Sequence, residues 1–125
     1  MFLMSAGVVL AALTYFLGGW DFSIYTLLIL ITVDYITGFL RAIYDKKLNS
    51  AIGTRGIIRK VGCLALVGVA TQLDYILGHT GTIRIVVIYF FVANEGLSII
   101  ENWAGMGLPI PKKLKEALEQ LRKAN

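Results

Sequence analysis

FSIYTLLILITVDYITGFLRAIY, residues Phe22 to Tyr44, decides the reading of this chain. From Phe22 to Leu40 there are nineteen residues with a single charge, Asp34. A helix rises about 1.5 Å per residue, so the run is roughly 28 Å long, close to the hydrocarbon thickness of a bilayer. Arg41 ends it and Asp45-Lys46-Lys47 follow at once. The unit is an apolar span with one internal carboxylate and a basic exit.

Composition points the same way. The chain is 57% hydrophobic and 16% charged, where an ordinary soluble domain carries roughly 25% charged residues. Of twelve Lys and Arg, six lie from Arg41 to Lys60, five from Lys112 to Lys123, and Arg84 stands apart. Basic clusters are one mark of nucleic-acid binding. Here they adjoin apolar segments, where Lys and Arg set the orientation of a chain across a membrane, so no nucleic-acid partner is expected. Cys63 is the single cysteine, in an apolar run, and the single histidine, His79, lies in the turn Gly78–Gly81. Neither a disulfide framework nor a metal cluster can be built from them, and no cofactor is expected.

The pattern predicts an all-α integral membrane protein with four transmembrane helices, at about residues 2–20, 22–43, 61–77 and 83–103, within a membrane domain 1–110. The first apolar run has no positively charged segment before it, which favours a retained span over a secretory signal. Trp20 stands at the interface beyond it, and Gly7 and Ala11 give it a small-xxx-small pair. The loop DKKLNSAIGTRGIIRK, residues 45–60, holds Lys46, Lys47, Arg55, Arg59 and Lys60. The third span, which carries Gln72 and Asp74 near its far end, reads as a crossing or a re-entrant helix. After the fourth, two prolines in Gly107-Leu108-Pro109-Ile110-Pro111 break the helix. A basic amphipathic helix at 111–125 follows, running from Lys112 to Ala124 with Leu114, Ala117, Leu118 and Leu121 on one stripe. Lys115–Glu119 and Glu119–Lys123 are its i,i+4 pairs. With the loop and the tail, including Lys112, Lys113 and Lys115, on the cytoplasmic side, four spans place both termini inside. Arg41 and these basic residues set topology and contact lipid, anionic lipid above all.

Polar side chains inside spans need a partner or water. Asp34, Thr37, Gly38 and Arg41 fall at i, i+3, i+4 and i+7 on the second span. Asn94, Ser98, Glu101 and Asn102 form a second stripe on the fourth span with Glu95 beside it, and Asp74 shares a face with Thr71 on the third. Two uses compete and are compatible: bonding between helices, or lining water in an assembled pore. An ion or proton relay through the carboxylates is a third. The motifs of an enzyme are absent, with no Gly-rich phosphate loop, no Ser/His/Asp set and no Cys/His metal spacing.

The order of these pieces resembles the phage holin family that includes the toxin-secretion holins of Gram-positive bacteria. Asp34-Tyr35-Ile36-Thr37-Gly38, the stretch Ser50–Lys60 with Gly53, Gly56 and Lys60, the run Asn94-Glu95-Gly96-Leu97-Ser98-Ile99-Ile100-Glu101-Asn102 and the elbow Gly107–Pro111 carry the resemblance. It extends from about Thr32 to Leu121. It implies a small protein of the bacterial cytoplasmic membrane that forms homo-oligomers and opens a lesion, with an endolysin or a toxin as exported cargo. The residues themselves lead only to a four-span, polar-striped, oligomeric membrane protein. They leave a small ion channel or transporter, and a structural membrane subunit, as alternatives.

Overall fold

Two side-chain caps fix where helices begin. Asp21 accepts a hydrogen bond from the Ile24 amide at 3.1 Å and starts the second helix. Asn49 accepts one from the Ile52 amide at 2.9 Å and starts the third. The computed structural model describes residues 1–123, and for residues 121 and 122 the backbone alone. It contains α1 (Phe2–Leu17), α2 (Phe22–Tyr44), α3 (Ser50–Ile76), α4 (Thr82–Gly105) and α5 (Lys112–Lys123), with no strand among the described residues. The expected helix end at Ala124 and the Leu121 side chain of the amphipathic stripe lie outside the described residues.

The cap at Asn49 accounts for one departure from the sequence reading. Most of the expected basic loop 45–60 is helical: α3 starts at Ser50 and runs for 27 residues, instead of beginning at 61. The connection to α2 shrinks to a few residues around Lys46 and Lys47. Of the expected spans, α2, α3 and α4 are long and apolar enough to cross a membrane. α1, with 16 residues, is about 24 Å of apolar helix.

α4 is the central element, packed against α2, α3 and α5. α2 presents Ile24, Leu27 and Ile31, all buried, to a core completed by Cys63 and Val67 of α3, Ile88 of α4 and Leu17 of α1. The buried face of α2 then continues through Asp34 and Thr37, so one stripe passes from apolar to polar halfway along the helix. Fully buried Leu27 and Ile88 hold the apolar half; truncating such a side chain to Ala leaves a cavity worth about 2–5 kcal/mol.

α1 meets the bundle through its last turns. The Phe16 ring lies directly on Gly68 of α3, where a Cβ would collide with it. The Tyr15 and Tyr75 rings meet at a tilt with centres 5.2 Å apart, and Gln72 Nε2 donates to the Phe16 carbonyl at 3.4 Å. Gly18, at φ 85°, closes α1 in the left-handed conformation. At the other end of the chain, the Trp103 indole donates to the Pro109 carbonyl at 2.9 Å across the elbow. α5 then doubles back along α4, with Leu118 seated on Gly96. Among the described residues α5 carries one ion pair, Lys112–Glu116 at 4.0 Å.

Candidate functional site: a polar seam between three helices

Where the shared face of α2 and α4 turns polar, four side chains from three helices meet. Lys60 of α3 donates to Asp34 of α2 and, at 2.6 Å, to Glu95 Oε2 of α4. Asn102, two turns further along α4, donates through Nδ2 to Asp34 Oδ1 and to Thr37 Oγ1, both at 3.1 Å. The Thr37 hydroxyl donates to the Asp34 carbonyl at 3.1 Å. Gly38 faces Asn102, whose Nδ2 would stand 3.5 Å from a Cβ there, an ordinary van der Waals contact. Asp34 and Glu95 are buried, with side chains 8% and 10% exposed, and that of Lys60 is 17% exposed. One cation serves two carboxylates, a geometry in which each carboxylate depends on Lys60 for its compensation. Among the described residues no buried side-chain nitrogen or oxygen lacks a partner, so the seam is satisfied within one protomer.

The stripe on α4 divides. Glu95 and Asn102 join the seam, and Ser98 lies beside it on a groove shared with Asp34 and Asn102. Asn94 is half-buried, and the Glu101 side chain points outward. The Glu101 carbonyl accepts from Arg41 Nη1 at 3.2 Å. Arg41 thereby ties the end of α2 to α4, with Asp45 3.6 Å from its Nε. Lys46, Lys47, Arg55, Arg59, Lys112, Lys113 and Lys115 are exposed. Lys60, grouped by sequence with those surface cations, is turned inward instead. The signal was present: Lys60, Cys63, Val67, Thr71 and Asp74 follow one another at three- and four-residue steps, and the last four are buried.

Asp74 belongs to a second polar group at the opposite end of the bundle. Its carboxylate accepts from the amides of Ile83 at 3.0 Å and Arg84 at 2.8 Å, capping α4, and from Thr80 Oγ1 at 3.4 Å. Arg84, which the sequence reading left without a role, is 6% exposed. Its Nε donates to the Leu17 carbonyl at 2.6 Å, its Nη1 to Asp21 Oδ2 at 2.7 Å and its Nη2 to the Gly19 carbonyl at 3.1 Å. One guanidinium thus closes the end of α1 and joins it to the starts of α2 and α4. Burial alone would raise the Asp21 carboxyl, but hydrogen bonds from Arg84, Ser23 and the Ile24 amide, together with the Arg84 charge, hold it down at about 2. The position of a lone arginine between two apolar runs, with Asp21 and Asp74 at neighbouring turns, was the available signal.

Comparison with known proteins places this architecture. Residues 11–123 match the model of the bacteriophage holin family. The chain belongs to that family. It is similar to an uncharacterized 14.9 kDa protein of Clostridium perfringens, 46% identical over 109 residues that make up 86% of this chain and 83% of the relative. An uncharacterized protein of Listeria innocua is 41% identical over 108 residues, 86% of this chain and 77% of the relative. A probable holin of Bacillus phage phi105 is 35% identical over 99 residues, 79% of this chain and 73% of that protein. No solved structure matches the chain. The seam residues Asp34, Lys60, Glu95 and Asn102 all fall inside the matched region. This is a holin-family membrane protein, all-helical, with three helices long and apolar enough to span.

Proposed function

We propose that this holin-family protein assembles into homo-oligomers in the cytoplasmic membrane of a bacterial host and opens a lesion through which an endolysin, or a toxin, leaves the cytoplasm. It performs no catalysis and uses no cofactor. α1 is the fourth span, about 24 Å of helix that reaches both faces with local thinning of the bilayer. Four spans put both termini, the basic connection after α2 and the cations of α5 on the cytoplasmic side, where they meet anionic headgroups.

The observation that carries this reading is the seam. Buried Asp34 and Glu95 and half-buried Lys60 and Asn102 meet on faces that α2, α3 and α4 turn towards one another. Charged groups held this way are compensated only while the helices stay together. When the helices separate, the same side chains require water, which an oligomeric lesion supplies along its wall. A single protomer of slender helices encloses no protein-sized passage, so the cargo requires many copies. The likeness to a probable phage holin supports the same use.

The test is inducible expression beside a cytoplasmic endolysin that lacks a signal peptide, following optical density and membrane potential. Abrupt lysis after a lag, dependent on the endolysin, is the expected result. Depolarisation without lysis would replace the lesion by a small-ion channel. An intact potential, with the protein in the membrane, would leave a structural subunit.

A further inference from the structure

The polar stripe on α4 leaves two members outside the seam. Glu95 and Asn102 turn into it, while Asn94 and Glu101, seven residues apart and so on one face, stand clear of it. Phe90, four residues before Asn94, extends that face and is exposed. α3 carries a bare face of its own. Arg55, Arg59, Gly62 and Leu66 follow one another at four-, three- and four-residue steps, and all are exposed. α1 docks on another side of α3, at Gly68, Gln72 and Tyr75.

Both faces hold polar groups that the protomer leaves unpaired. Among the described residues no carboxylate lies within ion-pair distance of Arg55 or Arg59, and no cation lies that close to the Glu101 carboxylate. Arg41 and Arg84, by contrast, each have an aspartate. The half-buried Asn94 carboxamide has no hydrogen-bond partner among the described residues. At the level of the seam a bare amide is costly against hydrocarbon. Gly62 is a third mark. Glycine inside a helix is destabilising relative to alanine, yet a Cβ at this position would meet nothing within 4 Å. Small residues on an open helix face let a second helix approach closely.

Copies inserted in one orientation are related by rotation about the membrane normal, so groups that pair between them must stand at equal depth. The contact of Lys60 with Glu95 sets α3 level with α4. Arg55 then stands about 7.5 Å to the cytoplasmic side of that level and Glu101 about 9 Å. Arg59 and Asn94 both lie within about 2 Å of it. On the other side Phe90, at about 7.5 Å, falls between Gly62 at about 3 Å and Leu66 at about 9 Å.

We infer that the α3 face of one copy, bearing Arg55, Arg59 and Gly62, packs against the α4 face of the next, bearing Glu101, Asn94 and Phe90. The two guanidinium groups donate to the Glu101 carboxylate and the Asn94 amide oxygen, and the Phe90 ring lies over Gly62. The faces are different surfaces of the protomer, so the contact is heterologous and goes on adding copies unless its rotation closes a ring. A passage for a folded protein requires growth of this kind. This inference names the interface of the proposed homo-oligomer and rests on that reading.

Disulfide trapping in bacterial membranes tests it, in a Cys63→Ala chain. A copy with Leu66→Cys and a copy with Phe90→Cys, expressed together, should give a covalent dimer under mild oxidation, since a disulfide needs Cα atoms within about 7 Å. The control replaces Leu66→Cys by Ile29→Cys. Ile29 is exposed on α2 at the depth of Phe90, about 7.5 Å from the seam, and should give about tenfold less dimer. A chain carrying both Leu66→Cys and Phe90→Cys should give a ladder of multimers. Glu101→Lys should lower the Leu66–Phe90 yield about tenfold. Adding Arg55→Glu and Arg59→Glu to Glu101→Lys should restore it to within about twofold, with equal protein in the membrane fraction confirming insertion. A yield no greater than that of the Ile29 control overturns the inference. So does a dimer from Phe90→Cys alone, which makes the contact isologous, or a yield that Glu101→Lys leaves unchanged, which assigns the arginines to lipid headgroups. Endolysin-dependent lysis is followed in the same cells. Lysis without these cross-links rejects the interface and keeps the lesion; cross-links without lysis keep the interface and reject the lesion.

Discussion

Lys60→Met is the sharpest single perturbation of the seam. It keeps the length of the side chain and removes the charge that serves both Asp34 and Glu95. With those carboxylates 8% and 10% exposed, neither has water enough to replace the cation. Breaking a buried ion pair by deleting one partner costs about 3–5 kcal/mol. Two stranded carboxylates push towards the upper figure, and the opening of Lys60 onto the groove admits some water and pushes back, so about 3–4 kcal/mol is the working value. Against a total stability of about 5–15 kcal/mol, such a loss is measurable by SDS-titrated unfolding in mixed micelles, followed by circular dichroism. The decisive comparison is the triple variant Asp34→Asn, Lys60→Met, Glu95→Gln. It removes all three charges while the amide oxygen introduced at position 34 still accepts from Asn102, and it recovers to within about 1 kcal/mol of the native chain. A Lys60→Met protein as stable as the native one, or a triple variant no better than the single, would refute the ion-pair account of the seam.

Other outcomes follow from the two ends of the bundle. Asp21 is held at about 2 against an ordinary 3.8, so its contribution is complete above pH 3.8 and disappears as pH falls towards 2. The difference corresponds to about 2.5 kcal/mol, and with half of the side chain open to water roughly 1 kcal/mol remains; thermal melts of Asp21→Asn and native protein should differ at pH 6 and converge between pH 4 and 2. Arg84→Met leaves the Leu17 and Gly19 carbonyls and Asp21 without their donor, costing about 3 kcal/mol and freeing α1 to limited proteolysis near Gly18. Gly68→Leu forces Phe16 off α3 and costs about 1–3 kcal/mol, read in the same unfolding titration. Gly96→Val displaces Leu118, and protease cleavage within α5 should accelerate while α4 stays protected.

The membrane class and the polar face of α2 were legible because each is a local pattern: the Phe22–Leu40 run gives length, and Asp34, Thr37 and Gly38 repeat at helical spacing. The start of α3 was not. Arg55, Arg59 and Lys60 read as part of a basic loop ahead of an apolar run that starts at 61, yet the Asn49 cap carries the helix through all three. Lys60 was hidden for a related reason. Its partners lie 26 and 35 residues away in sequence, and a basic cluster beside a span looks alike whether its members face headgroups or a carboxylate. Arg84 bonds across more than sixty residues to the other end of α1, beyond any periodicity. The stripe on α5 was visible, but its seat on Gly96 depends on the turn at the elbow, which composition does not determine.

The central claim, that the seam is closed before the lesion forms and wet afterwards, is tested most directly by thiol accessibility during lysis. Thr37, buried at 7% exposure, is replaced by Cys in a Cys63→Ala background, and a membrane-impermeant maleimide is added before and after the fall in optical density. The account predicts protection until the onset of lysis and rapid labelling from that moment. Labelling already complete before onset, or protection that outlasts lysis, would contradict it.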